Sequence, residues 1–527
     1  MPNSGASYNR TRNSLKNSMV ALVIQVASML IGFFGRRIFI HRLGVELMGL
    51  SSTAASILDT LNLAELGIST AIAVTLYKPL FEKDEQSIKE IVAIQGKFYR
   101  IIGSFVFVAA MVVMLFMGKI FAKTDLPISY AYVTFCVLLY SSLLWYFVNY
   151  KKILLIADQK NYKILLSTRL VSMIRQLVQI YLVLHIANVD AAYFSWLGLD
   201  ALSSTIGAII LARVIHKTYP FLSDNVRADR SLIRKYPGIL KKTGCMAFHK
   251  FGGYAMSQSG PIFIYAYASL TTVGLYANYT LLTVNLGFIL GAMYSGIGAS
   301  IGDMVAEGNK NLMLKVFKEL FSSRVLIVGV CCICLWFLTE PFIKLWLGPE
   351  YVLGRLTLVL IVAQFFLSNI RNVVDDYLTA FGLFWDIWSP LAEAGINISL
   401  AIILGSRFGL NGILAATLTA QLLLIFIWKP IFLFWKGLKE PLSFYVKLFV
   451  RCFIPAVAAF AASYFILSLI KTEPGDSISG FLVYAMATGI SALGVFILVM
   501  RVTEPSIKGF ALRISKALGS RRLGRNE

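Results

Sequence analysis

The sequence predicts an all-α polytopic membrane protein of about fourteen transmembrane helices, built as two pseudo-symmetric six-helix lobes plus two C-terminal helices. Three observations carry that expectation. Hydrophobic residues fill 57% of the 527 positions and charged residues only 14%, against about 25% charge in soluble domains, and mean hydropathy is +0.73. Apolar runs of bilayer-spanning length recur along the chain, and Lys and Arg gather in alternate connections. Fourteen crossings of roughly 20 residues occupy about 280 positions, which leaves loops and tails but no large extramembrane domain.

The runs follow in order. The first, 17–40, comes after a polar, basic start, MPNSGASYNRTRNSLKNS. It has no small-residue cleavage site and further runs follow at once, so it reads as a retained span. Runs at 46–79, 99–122, 129–150, 164–187 and 190–213 complete a group of six. The longest connection, 214–242, carries Arg227, Arg230, Arg234, Lys235, Lys241 and Lys242. A second six spans 244–270, 272–305, 322–347, 354–382, 388–406 and 409–435, and runs at 446–470 and 477–502 precede a basic tail. The implied domains are an N-terminal lobe (1–213), a basic cytoplasmic connection (214–242), a C-terminal lobe (243–435), and two extra helices with the tail (436–527). The segments IFIHRLGVELMGL (38–50) and IFIYAYASLTTVGL (262–275) share their opening and closing residues, as a duplication would leave them.

The positive charges test this order. Arg12 and Lys16 precede the first run, Lys83 and Lys89 follow the second, Lys151, Lys152, Lys160 and Lys163 the fourth, Lys310 and Lys315 the eighth, and Lys436 and Lys439 the twelfth. The connections at 188–190 and 270–272 hold none. Cytoplasmic loops collect Lys and Arg, so both termini are expected in the cytoplasm. Arg36, Arg37 and Arg42 are the exception, on the side that should be poor in positive charge.

A formal charge of +22 would suggest nucleic acid in a soluble protein; here orientation in the bilayer accounts for it, and no nucleic-acid partner is expected. Six cysteines, Cys136, Cys245, Cys331, Cys332, Cys334 and Cys452, stand in apolar surroundings and read as small core residues without a disulfide or zinc framework. There is no G-x-x-x-x-G-K-[ST] loop and no H-E-x-x-H. Gly298-Ala-Ser-Ile-Gly302 fits a nucleophile elbow only in letters, because an elbow needs a strand-turn-helix. No long outer loop exists to hold catalytic groups. The reading is of a non-enzyme without cofactor or metal. The small-residue pairs Gly287/Gly291 and Gly298/Gly302 are expected to let helices approach closely.

Ionisable side chains within spans cost roughly 2.5 to 3.5 kcal/mol each on insertion scales and normally face protein or an aqueous cavity. Arg36 and Arg37 end the first span, Asp59 and Glu65 lie in the second, Arg169 and Arg175 in the fifth and Asp200 in the sixth. His249 and Lys250 open the seventh, Arg371, Asp375 and Asp376 lie late in the tenth, and Glu393 enters the eleventh. Guanidinium forks match phosphate oxygens, so Arg36, Arg37, Arg169, Arg175 and Lys250 are candidates to bind a phosphate; the alternative is snorkelling or pairing with a carboxylate. Asp59, Glu65 and Asp200 are candidates for proton or Na⁺ coupling or for gating; the alternative is salt bridging to those arginines.

The stretches RNSLKNS (12–18), IFIHRLGVELMGLSS (38–52), LAELGISTAIAVTLYKPLFEKD (63–84), YRIIG (99–103), VGLYANYTLL (273–282) and GLFWDIWSPLAEAGINISLAIILGSRFGLNGILAATL (382–418) resemble bacterial polysaccharide flippases, the Wzx-type repeat-unit translocases of the multidrug/oligosaccharidyl-lipid/polysaccharide exporter superfamily. The resemblance implies a two-lobed bundle with a cationic cavity and alternating access in the bacterial plasma membrane. It implies as substrate an oligosaccharide joined through pyrophosphate to undecaprenol, and as pathway partners glycosyltransferases and a polysaccharide polymerase. It places the pyrophosphate clamp at Arg36 and Arg37. One segment departs from the family pattern: HKFGGYAMSQSGPIFI (249–264) has Gly260 and Pro261 where relatives commonly carry an acid, which leaves the driving ion open. A cation-coupled drug exporter of the same superfamily is the competing reading; it would favour acidic, aromatic spans over arginine-bearing ones.

Overall fold

The computed structural model describes residues 24, 26–65, 67–158, 160–223, 228–237, 239, 259–294, 301–302, 304–305, 307–383, 386, 388–469 and 477–503. The chain divides into two compact units, Met1–Gly274 and Leu275–Glu527, and every regular element among the described residues is helical.

Unit 1 holds α1 (26–43), α2 (Val45–Leu61), a 3₁₀ turn (Asn62–Glu65), α3 (Ile68–Glu82), α4 (Glu85–Leu115), α5 (Met117–Ile120) and α6 (Ile128–Phe147). It continues with α7 (Lys152–Ala157), α8 (Asn161–His185), α9 (Val189–Thr218), α10 (Arg230–Lys235), α11 (Gly260–Tyr267) and the first turn of α12 (Leu270–Tyr294). Unit 2 holds the rest of α12, α13 (Lys310–Trp346), α14 (Arg355–Ile370), α15 (Asn372–Ala380) and α16 (Trp388–Ala420). Beyond them come π-helical Gln421–Trp428, α17 (Lys429–Phe432), π-helical Leu433–Leu438, α18 (Leu442–Ser468) and α19 (Ile478–Thr503).

Nine helical stretches among the described residues are long and apolar enough to cross a membrane. One of them, Trp388–Leu438, is interrupted at Gly409 (φ 55°) and covers two of the sequence runs. The second run, 46–79, is not one helix but two, α2 and α3, parted at Asn62–Gly67. Large apolar side chains point outward from these helices, with Leu115 at 80%, Ile490 at 73% and Phe34 at 69% exposure. Exposed apolar surface on that scale is unfavourable in water and is solvated by acyl chains, so this is an all-α polytopic membrane protein.

Close helix approaches occur where a glycine removes the Cβ. A methyl group at Gly49 of α2 would meet the Leu270 carbonyl oxygen at 1.8 Å, and one at Gly274 would meet the Val45 carbonyl oxygen at 2.3 Å. The contact is reciprocal, since each glycine faces the residue four positions before the other. These are the closing glycines of the two similar sequence segments. Among the described residues, a Cβ at Gly287, Gly291 or Gly302 would meet nothing within 4 Å; Gly298 lies outside the described residues. Cys332 and Cys452 are buried as expected, but Cys136 is exposed, on a helix face that needs no core residue; Cys245 lies outside the described residues.

The start of α4 is tied down by polar contacts. Asp84 caps it by accepting from the Ser87 N–H at 3.0 Å, and those Ser87 contacts hold its carboxyl below the usual range. The basic connection folds back onto the same end. Lys235 Nζ and the Tyr236 hydroxyl each donate to Glu90 Oε2 at 2.7 Å, and Lys97 Nζ donates to the Ala228 carbonyl at 3.0 Å. The bond to Glu90 raises the Lys235 ammonium above its ordinary value.

Candidate functional site

The candidate site residues of unit 1 that the structure describes fall into three places. At the end of α1, Phe39 packs edge-on against Trp196 of α9, with ring centroids 4.9 Å apart, and Gly35 sits against Ile180 of α8. This fixes the helix that carries Arg36, partly buried, and Arg37, exposed. Arg42 donates from Nε to the Val183 carbonyl and from a terminal nitrogen to the Ile186 carbonyl, both at 3.3 Å. Arg42 therefore caps the C-terminus of α8, where unmet carbonyls and the helix dipole favour a cation.

The second place joins α8 and α9. Arg175 and Asp200 form an ion pair through Nη1 and Oδ1, Gln179 Nε2 donates to the same Asp200 oxygen at 3.0 Å, and a second Arg175 nitrogen reaches Ser172 Oγ at 3.3 Å. Both charged side chains are about a quarter exposed. The sequence named these residues for different roles, and the structure brings them together. Arg169, a turn and a half earlier on α8, is exposed.

The third place is the break between α2 and α3. Gly67 (φ 90°) starts α3 in a left-handed conformation that suits glycine. In the turn before it, Asn62 Oδ1 accepts from Ser142 Oγ at 3.0 Å and from the Tyr146 hydroxyl at 3.1 Å. Glu65 Oε1 accepts from Ser69 Oγ at 2.6 Å and from the Tyr99 hydroxyl. Asp59 stays on α2, partly buried, so the break separates it from Glu65. Broken membrane helices with polar side chains at the gap are a recurrent setting for transporter sites.

Unit 2 has its own charge cluster. Asp375 of α15 accepts from Arg371 Nε at 3.0 Å and from Lys429 Nζ at 2.9 Å, and buried Glu393 of α16 lies within electrostatic reach of both cations. Arg324 of α13, 3% exposed, stacks over the Tyr294 ring at 4.2 Å and approaches Asp376 at 3.9 Å. Sequence reading named the acids and Arg371 but missed Arg324 and Lys429. Arg324 stands at the edge of its apolar run, where it reads as flanking charge, and Lys429 is a single cation inside the run 409–435. Between α13, α14, α18 and α19 lies a cavity of about 550 Å³, lined by apolar side chains such as Trp336, Phe366, Phe426, Phe453 and Phe460. His249 and Lys250 lie outside the described residues.

No family model and no curated protein matches this sequence. Solved structures do. The chain is similar to the lipid II flippase MurJ in an inward closed conformation, with a TM-score of 0.62 at 15% identity, covering 91% of this chain and 99% of that one. It is similar to an inward-facing multidrug resistance MATE family transporter of the MOP superfamily, with a TM-score of 0.52 at 13% identity over 80% of this chain and 99% of that one. A Vibrio cholerae MATE transporter, VcmN, matches with a TM-score of 0.52 at 12% identity over 82% of this chain and 99% of the other. The chain has the fold shared by these flippase and exporter structures.

Proposed function

We propose that this protein is a flippase that moves undecaprenyl-pyrophosphate-linked oligosaccharide repeat units from the inner to the outer leaflet of the bacterial plasma membrane by alternating access, for surface polysaccharide biosynthesis. The observation that carries the reading is the charge on α1: residues 26–43 include Arg36, Arg37 and Arg42 and no acidic residue. An exporter of organic cations would need the opposite sign there. Arg42 is bonded to the end of α8; we assign Arg36 and Arg37 as the diphosphate clamp, with Arg175, Arg169 and Lys250 as further contacts. Asp59, Glu65 and Asp200 act in coupling or gating, with a proton or Na⁺ as the ion. The wholly apolar cavity of unit 2 suits a section of the lipid carrier. The two six-helix lobes with two added helices and cytoplasmic termini belong to the same proposal, as do a polymerase and glycosyltransferases as pathway partners.

The test is complementation of a strain lacking the gene. Arg36→Ala and Arg37→Ala are expected to reach the membrane and to lose surface polysaccharide at least about tenfold, while Lys at either position retains part of it, because a point charge replaces a bidentate fork. Wild-type export from both alanine variants removes the clamp.

A further inference from the structure

The basic connection between the two sequence halves is fastened to α4 at both ends of α10. On the N-terminal side the Ala228 carbonyl accepts from Lys97 Nζ at 3.0 Å, and Asp229 caps α10 by accepting from the Leu232 N–H at 2.8 Å. On the C-terminal side Lys235 Nζ and the Tyr236 hydroxyl donate to one oxygen of Glu90, each at 2.7 Å, while Gln86 Nε2 donates to the other at 3.1 Å. Gln86, Glu90 and Lys97 all belong to α4. Residues 228–236 thus lie on one helix like a strap with two buckles.

The main buckle has a buried half and a wet half. Glu90 is 7% exposed, so its charge depends on the donors gathered around it, whereas the Lys235 side chain is 57% exposed. Apolar packing adds little to the hold: Ala228, Leu232, Ile233 and Tyr236 are only partly buried, and Asp229, Ser231 and Arg234 are exposed. A segment held by polar bonds at a hydrated rim, with little buried apolar surface, belongs to the low end of local stability and opens without unfolding its neighbours. Its ion pair is also weakened by salt.

We propose that residues 228–236 are a conformational strap: it is buckled to α4 through Glu90 in this conformation and unbuckles when the two sequence halves rearrange. The strap is where the chain leaves the first half and enters the second, and alternating access moves such halves past each other. While fastened, it holds the entry to the second half against α4 and opposes that movement. The inference rests on the alternating-access part of the proposed function and is independent of the cargo.

Full-length protein in nanodiscs, digested with a trace of trypsin, reports the open population through the rate of cleavage after Arg234. Glu90→Gln and Lys235→Gln are expected to be cut at least about tenfold faster than wild type, and Lys235→Arg at close to the wild-type rate. Salt raised from about 0.05 M to about 0.5 M is expected to speed cleavage of wild type relative to Glu90→Gln. Equal rates for wild type and Glu90→Gln, Lys235→Arg cut as fast as Lys235→Gln, or a ratio that salt leaves unchanged would each overturn the buckle. Thermal unfolding of each variant separates a loosened strap from a misfolded chain. Release is tested with Gln86→Cys and Lys235→Cys together, at exposed positions whose native side chains meet on Glu90, bridged in cells by a short membrane-permeant bismaleimide. The bridged protein is expected to export surface polysaccharide at least about tenfold less than either single-cysteine variant treated alike, and undiminished export overturns release. Absence of export from every variant, treated or not, contradicts the flippase reading instead, and the trypsin rates still decide the strap.

Discussion

Arg42 shows how a single side chain can depart from a charge rule for a local reason. It lies where the loop-charge rule expects little positive charge, and its two bonds at 3.3 Å end on the last carbonyls of α8. Arg175 and Asp200 pose a different case, because each supplies the other's counter-charge inside the membrane span. Removing one member of such a pair leaves an uncompensated charge and costs about 3 kcal/mol, while replacing both with apolar groups is close to neutral. Asp200→Ala is therefore expected to lower the unfolding midpoint of the detergent-solubilised protein, and Arg175→Met with Asp200→Leu to restore most of it. A double variant as unstable as the single one would contradict pairing as the source of the cost. The carboxylate at Asp84 has a pH sign: held below its usual range by Ser87, it supports the start of α4 above that range and loses the support as pH falls through its lowered value.

At the scale of elements, the reciprocal contact of Gly49 and Gly274 explains why two sequence segments close on the same residue. Gly49→Val is expected to separate α2 from α12 and abolish export, since the Cβ alone would overlap a backbone oxygen that cannot move aside. Wild-type export from that variant would mean that the approach is dispensable. Gly67→Ala meets a left-handed backbone and is expected to cost about 1 to 2 kcal/mol, read as a lower unfolding midpoint. The break it borders was hidden in the sequence. LNLAELGIST has neither proline nor a charge run, and its hydropathy continues through the gap. Most other spans were legible, because a bilayer demands long apolar helices and tolerates little else. The clusters were not, since residues such as Arg175 and Asp200, or Asp375 and Lys429, meet across helices far apart in the chain, and periodicity carries no information about which helices are neighbours. Arg324 and Lys429 escaped for that reason.

Across the whole molecule, the fold is common to a lipid flippase and to drug exporters, so fold alone does not select the cargo. The sign of charge within the spans is what our proposal draws on, and its central claim is that Arg36 and Arg37 carry a diphosphate headgroup across. Proteoliposomes loaded with a fluorescent undecaprenyl-pyrophosphate-linked oligosaccharide, with its sugar read by a membrane-impermeant lectin, measure this directly. Wild type should expose the inner-leaflet pool with time, and the Arg36→Ala, Arg37→Ala double variant should do so at least about tenfold more slowly. Equal rates for the two proteins, or no exposure by wild type in vesicles where it expels an organic cation, would contradict it.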